Sequence, residues 1–308
     1  MHIADGFLSA PVAAGTAVAA IGGAAIAAWR VARDGAAVVG VGMMAAFLFV
    51  AQVVNFPVVP GASGHLLGAG LAVAVLGLTP GMLAMIVVVV VQALFFRDGG
   101  ISAMGANALN MAVAGPLAAW CVLRAMGGRG VAAVFLASAA GMFVSAGFCA
   151  LQLVLSGTVS ANMIPLFMGV QAIVAVCEGI ITAAVATAMT RHGFAMENGK
   201  WKMENGTRVM AGAGLALLLL APFACAWPDG LEYVAERWGF AELETEGNWL
   251  VWEWLGDYGV KGLPEPYGVW LAVALGACAA FLLAWGAGRV MKKIDSNRFK
   301  STRIEASR

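Results

Sequence analysis

Charge is what this chain has least of. Asp, Glu, Lys and Arg make up 11% of its 308 residues, against about 25% in a soluble domain, which excludes an ordinary water-soluble fold. Cysteine is sparse and unpatterned. Its five residues (Cys121, Cys149, Cys177, Cys225 and Cys278) all fall inside apolar runs, and none forms a Cys-x-x-Cys pair. That excludes a zinc or dithiol framework and leaves them as small core hydrophobes. The nucleotide-binding loop Gly-x-x-x-x-Gly-Lys-[Ser/Thr] is missing, so this chain carries no Walker A site of its own. A positively charged region ahead of the first apolar run is also missing, so no cleavable signal peptide is expected. The basic residues do not gather into one patch with interleaved aromatics, and nucleic acid is not an expected partner.

What fills the chain instead is hydrophobic residues, 61% of the total. Several runs approach the ~20 residues needed to cross a bilayer core of ~30 Å. The expected fold is all-α and polytopic. Spans are predicted at 9–30, 36–57, 64–78, 80–97, 103–124, 131–156, 163–190, 208–226 and 267–290. The third is short and opens with Gly61-Ala62-Ser63-Gly64-His65, a pattern suited to irregular backbone lining a site. A polar linker over 191–207 separates a domain at 1–190 from a segment at 208–308. The tail from 291 onward is basic.

Nine spans with the N-terminus outside put the C-terminus inside, and the positive-inside rule bears on that choice. With this orientation fifteen of the 18 Lys and Arg residues lie inside; only Arg97, Arg237 and Lys261 lie outside. The expected location is therefore the cytoplasmic (inner) membrane, multi-pass, with lipid around it. The external loop 227–266 holds nine acids against two bases, and five of the ten tryptophans. Such a loop reads as a small interfacial flap, and its charge can also gather cations.

Histidine is rare too, but one of the three stands at position two. The α-amine of Met1, the amide of His2 and the imidazole of His2 can close a five-membered and a six-membered chelate ring on one ion. A planar, all-nitrogen set suits square-planar Ni(II) or Cu(II). An α-amine has a reference pKa near 8, so freeing it near neutrality costs little. Methionine is usually kept ahead of a bulky residue, so Met1 is expected to retain a free amine. The plainer alternative is that position two is arbitrary.

Polar side chains at membrane depth usually face the bundle interior. Here they are Gln52 and Asn55, His65, Gln92, Asp98, Asn107 and Asn110, and Glu178. Asn55, His65, Asp98 and Asn107 fall at outer helix ends, on the side of Met1 and His2. A neutral His65 can supply a fourth planar nitrogen, and the amides can orient ligands around it. The plainer roles are interhelical hydrogen bonds for the amides, a helix-start residue for His65, and a structural carboxyl for Glu178.

Four stretches resemble one family in order along the chain. They are Met1-His2-Ile3-Ala4-Asp5-Gly6-Phe7-Leu8-Ser9, Ala51 to Pro57 with Ser63 to Gly68, Gln92 to Gly100, and Gly105 to Met111. Together they resemble the CbiM/NikM family, substrate-specific membrane components of energy-coupling factor (ECF) transporters for cobalt and nickel. Trp227-Pro228-Asp229-Gly230-Leu231-Glu232 resembles the PDGLE segment of the CbiN/NikN-type accessory subunits, fused here through 191–207. The resemblance implies a seven-helix binder whose N-terminus tucks inward, with Met1, His2 and His65 as ligands of Ni(2+) or Co(2+) as transported substrate. Around those ligands the expected residues are Asp5, Gln52, Asn55, Gln92, Asp98, Asn107 and Asn110. The resemblance also implies a transmembrane coupling protein (CbiQ/NikQ-like) and cytoplasmic ATPases (CbiO/NikO-like) as partners.

The expectation is a transporter component rather than an enzyme. A membrane metal sensor or a cofactor-bearing membrane enzyme subunit stays open as an alternative. The enzyme reading is opposed by the absence of a histidine pair on facing helices and of a nucleophile–base arrangement.

Overall fold

The computed structural model describes residues 1–33, 38–128, 130–191, 196–197, 200–201, 203–245 and 252–305. Parts of the expected linker and external loop, with Arg129, His192, Lys202, Glu246 and Trp249, lie outside the described residues.

The chain enters as an extended N-terminal segment, then forms helix α1 (Ala10–Arg33) and helix α2 (Val38–Val53). A hairpin of β1 (Phe56–Val59) and β2 (Ala62–Gly64) follows, paired antiparallel with Phe56 opposite Gly64. Helices α3 (Ala69–Leu76) and α4 (Leu78–Val91) come next, then α5 (Met104–Asn107), α6 (Gly115–Ala125), α7 (Val131–Leu155) and α8 (Ile164–Arg191). A minimal hairpin, β3 (Met196–Glu197) with β4 (Lys200–Trp201), leads to α9 (Met203–Leu220). Short helices α10 (Gly230–Trp238) and α11 (Trp252–Leu255) precede the long α12 (Tyr267–Glu305).

Among the described residues six helical stretches are long and apolar enough to cross a membrane: Ala10–Arg33, Leu78–Phe96, Met104–Ala125, Val131–Leu155, Ala161–Ala188 and Tyr267–Met291. Val38–Val53 and Arg208–Phe223 are apolar but shorter. This is a multi-pass membrane fold, and its helices are apolar on nearly every face because lipid or neighbouring helices surround them. On α1 the outward residues Val18, Ile21 and Ile26 are all exposed and apolar, as a lipid-facing stripe requires.

The expected third span, 64–78, takes a different form. Its first part completes the β1–β2 hairpin, and only the eight residues of α3 are helical. Eight residues rise about 12 Å, so α3 does not cross by itself. The cause is local. Pro57 has no amide hydrogen with which to extend α2, while Gly68 (φ 79°) and Gly77 (φ 85°) adopt left-handed backbone that bounds α3 on both sides. A side chain at Gly68 would also approach Leu48 Cδ2 at 2.3 Å. The α12 helix likewise runs past its expected end at 290 to Glu305.

The core is built around α2, buried along most of its length. Glycine lets α12 approach it closely: a Cβ on Gly276 would sit 2.1 Å from Phe49 Cζ, and one on Gly42 3.0 Å from Phe281. The C-terminal segment thus packs directly on the N-terminal bundle. Two stretches, Gln92–Phe96 ending α4 and Ala108–Ala114 between α5 and α6, wind with the wider i→i+5 spacing. Such bulges recur at functional sites because they re-aim side chains without breaking a helix.

Candidate metal centre

The N-terminal segment folds inward. Met1, Ile3 and Phe7 are buried, although extended chain at a terminus ordinarily frays. Hydrogen bonds account for this. Asn107 receives the Ile3 amide on Oδ1 at 2.8 Å and donates from Nδ2 to Ile3 O at 3.0 Å, replacing a strand partner with one side chain. Gly100 N also donates to Ile3 O at 2.8 Å. The Asp5 carboxylate accepts from Ile101 N (3.1 Å), Ser102 N (2.7 Å) and Ser102 Oγ (2.5 Å). Thr158 Oγ1 donates to Phe7 O at 2.5 Å.

The glycine pair explains why two backbones fit side by side. A Cβ on Gly100 would lie 2.3 Å from Asp5 N, and one on Gly99 (φ 91°) 2.8 Å from Asn107 Nδ2. Asp5 and Asn107 therefore position the N-terminus rather than line the site itself.

Met1 and His2 arrive beside His65. The Met1 nitrogen is 3.4 Å from His65 Nε2, and the rings of His2 and His65 stack with centroids 5.3 Å apart and planes inclined by 10°. His65 Nδ1 faces Leu66 O at 3.2 Å. With Nδ1–H donating there, the Nε2 lone pair is directed at Met1. Burial first, then the nearby amine and His2, pushes the His65 pKa down to about 4. The ring is thus neutral near pH 7, the form that ligates metals.

Carboxylates hold the other nitrogens. His2 Nδ1 lies 2.7 Å from Asp98 Oδ1. The Met1 amine pairs with Asp229 Oδ2. Burial works to lower that amine, but the charge and hydrogen bond of Asp229, helped by Asp98 and Glu232, outweigh it and raise its pKa. Burial works to raise Asp229 and Asp98; the amine for the first and His2 for the second prevail, and both carboxyls are lowered. His2 Nε2 is buried and has no hydrogen-bond partner among the described residues. The two imidazoles stack face to face in this arrangement, so a planar chelate requires the carboxylates to release the donors and the rings to turn.

Two of these contacts come from the C-terminal segment. Asp229 caps α10, with Oδ1 accepting from Leu231 N (2.6 Å) and Glu232 N (3.0 Å), while Glu232 Oε2 receives Asp229 N at 2.8 Å. This reciprocal pair is a capping box, and it fixes the carboxylate that meets Met1. The charge of Asp229, then burial, raises Glu232 to about 7. Tyr258 donates its hydroxyl to Asp98 Oδ2 at 2.5 Å and stacks on Phe96 at 5.0 Å. Burial, then Asp98, raises the Tyr258 phenol above its usual value.

A cavity of about 480 Å³ adjoins these groups. It is lined by His2, His65 and Asp98 from the bundle and by Asp229, Glu232 and Tyr258 from the C-terminal segment, among others. Among the described residues, no cluster of three or more His, Cys, Asp or Glu side chains has metal-holding geometry.

The other expected residues divide. Gln52 and Asn55 line the cavity; Gln52 Nε2 donates to Leu67 O at 2.7 Å, and Asn55 O accepts from Cys225 N at 2.9 Å. Gln92 is buried, and its carbonyl receives Asp98 N at 3.2 Å, which aims the acid. Asn110 does not join the site. It exchanges two hydrogen bonds with Gln152 of α7, at 2.9 and 2.7 Å. Asn107 and Asn110, three residues apart, would share one face of a regular helix, but the wider winding from Ala108 rotates Asn110 away.

Asp229, Glu232 and Tyr258 were not among the expected site residues. The Asp229-x-x-Glu232 spacing announces a helix start. No local pattern says that this start meets Met1.

Comparison with known proteins agrees with the architecture. The family model described as cobalt uptake substrate-specific transmembrane region (CbiM) matches residues 2–196, and the PDGLE domain model matches residues 206–293. A protein of Archaeoglobus fulgidus, named as a fused nickel transport protein NikMN, is 30% identical over 94% of this chain and 98% of its own length. The fused nickel transport protein NikMN of Rhodobacter capsulatus is 42% identical over 43% of this chain and 38% of its own. The cobalt transport protein CbiM of Clostridioides difficile is 34% identical over 48% of this chain and 64% of its own. A crystal structure of a transition metal transporter superposes with a TM-score of 0.56 at 27% identity, covering 62% of this chain and 93% of that one. The chain belongs to the family of cobalt uptake substrate-specific transmembrane regions, CbiM, and carries a PDGLE domain behind it.

Proposed function

We propose that this chain is the metal-binding component of an ATP-driven ECF importer, with nickel or cobalt as its substrate. The observation that carries the reading is the approach of the Met1 amine, His2 and His65 within one buried pocket beside the cavity. The amine, amide and imidazole of the first two residues supply three nitrogens, and His65 Nε2 supplies the fourth. Asp98 and Asp229 are placeholders: an incoming cation takes the nitrogens, and the acids move to its flank. Nickel is favoured over cobalt because four planar nitrogens suit Ni(II). The relative that covers most of this chain is named for nickel as well.

Residues 1–190 form the binding domain, 191–207 the cytoplasmic joint and 208–308 the accessory segment. The distribution of Lys and Arg supports an outward-facing N-terminus and an inward C-terminus in the cytoplasmic membrane. A coupling protein and cytoplasmic ATPases supply the energy, since this chain has no Walker A loop.

His2→Ala tests the chelate. The amine and the amide are kept, but the imidazole and its six-membered ring are lost. Calorimetric titration of the purified chain with Ni(II) should show affinity falling at least about 100-fold. Unchanged affinity would place the metal elsewhere.

A further inference from the structure

Glu178 is fully buried in α8, and its hydrogen bonds go to residues that the proposed site does not use as ligands. Its two oxygens accept from consecutive amides, Oε2 from Leu67 N at 2.5 Å and Oε1 from Gly68 N at 2.8 Å. The carbonyl of the same residue, Leu67 O, is held from the other side by Gln52 Nε2 at 2.7 Å. The peptide units two and three residues after His65 are therefore clamped. Ahead of His65, Ser63 is tied by its amide to Pro228 O at 2.8 Å and by its hydroxyl to Trp227 O at 2.7 Å.

Only the short stretch of Gly64, His65 and Leu66 lies between these two anchors. Its geometry decides where Leu66 O points, and Leu66 O is the group that faces His65 Nδ1.

We propose that Glu178 is a positioning residue for metal binding. By clamping the Leu67 and Gly68 amides it fixes Leu66 O against Nδ1 of His65, and so turns Nε2 toward Met1. Partners that set the orientation and tautomer of a ligating histidine typically change metal affinity 10–100-fold when removed. Glutamine cannot replace this acid: an amide has one acceptor oxygen, and its NH₂ would meet an N–H head on. The proposal rests on His65 being the fourth ligand.

The test is the visible absorption of the Ni(II)-loaded, full-length chain with its native N-terminus, together with its Ni(II) affinity. Replacing the His65 nitrogen by a water oxygen weakens the ligand field and moves the d–d band to longer wavelength, so His65→Ala marks that displaced position. Glu178→Gln should move the band in the same direction and weaken affinity about 10–100-fold. Glu178→Asp, which keeps two acceptor oxygens, should restore the wild-type band. Thr182→Val, one turn further along α8, should leave band and affinity unchanged.

A wild-type band and affinity in Glu178→Gln, with His65→Ala displaced, overturns the role of Glu178 alone. A wild-type band in His65→Ala overturns the ligand assignment and this proposal with it. Should Glu178→Gln not fold, nitrogen NMR of His65 in the native metal-free chain decides: a proton on Nδ1 is expected, and a proton on Nε2 instead overturns the proposal.

Discussion

Asp229→Asn separates the proton held at the amine from everything else in the site. Asn is nearly isosteric and caps helices about as well as Asp, so α10 keeps its start. What changes is the partner of the Met1 amine. In the native chain Asp229 holds that amine above its ordinary value near 8, so near neutral pH it carries a proton that a metal must displace. Displacement by metal makes affinity rise with pH. Without the charge of Asp229, burial is opposed only by the weaker pull of Asp98 and Glu232, and the amine falls to its ordinary value or below. Near pH 8 much of the variant's amine is then already free.

Protons released by groups common to both proteins, the His2 amide included, cancel in the comparison. The expected difference is a fraction of a proton and at most one. A full proton changes apparent affinity about tenfold, or about 1.4 kcal/mol, per pH unit. Around pH 8 the native affinity for Ni(II) should therefore climb more steeply with pH than that of the variant, by at most about tenfold per unit. Calorimetry in buffers of different ionisation enthalpy counts the protons directly. Equal proton release from the two proteins would refute the reasoning, because it would mean that the amine is not a ligand or that Asp229 does not hold its proton.

Gly100→Ala puts a methyl group 2.3 Å from Asp5 N, where only backbone can give way. Overpacking of about 1–3 kcal/mol should appear as a five- to over a hundredfold loss of Ni(II) affinity with circular dichroism unchanged; undiminished affinity would show that the N-terminal segment need not sit against 99–100. Tyr258→Phe keeps the stack on Phe96 but removes the hydroxyl from Asp98. A hydrogen bond to a charged acceptor contributes about 1.5–3 kcal/mol, so hydrogen exchange around residues 256–260 should accelerate about 10–100-fold. Unaltered exchange would mean that the contact does not hold this segment down.

The class of fold was legible without coordinates, because scarce charge and long apolar runs leave a chain no alternative to membrane helices. The chemistry of position two was legible for a similar reason: amine, amide and imidazole are joined by covalent bonds, so their chelating capacity is a property of two residues. Glycine signals were half legible. Gly99-Gly100 ended one of the family-like stretches, but its purpose, the close approach of Asp5 and His2, needs two distant segments side by side.

Asn110 shows the limit of periodicity. A spacing of three implies one face only while the helix keeps 3.6 residues per turn, and a local widening of the winding moved it to Gln152.

The sequence alone determined a multi-pass helical chain with a nitrogen-rich start, since composition and covalent neighbours decide both. Only the tertiary structure decided what meets that start. Asp229, Tyr258 and Glu178 lie 228, 160 and 111 positions from the groups they hold or restrain. Buried charges and hydrogen-bonding groups must find partners wherever packing brings them, and no local pattern in the chain states where that is.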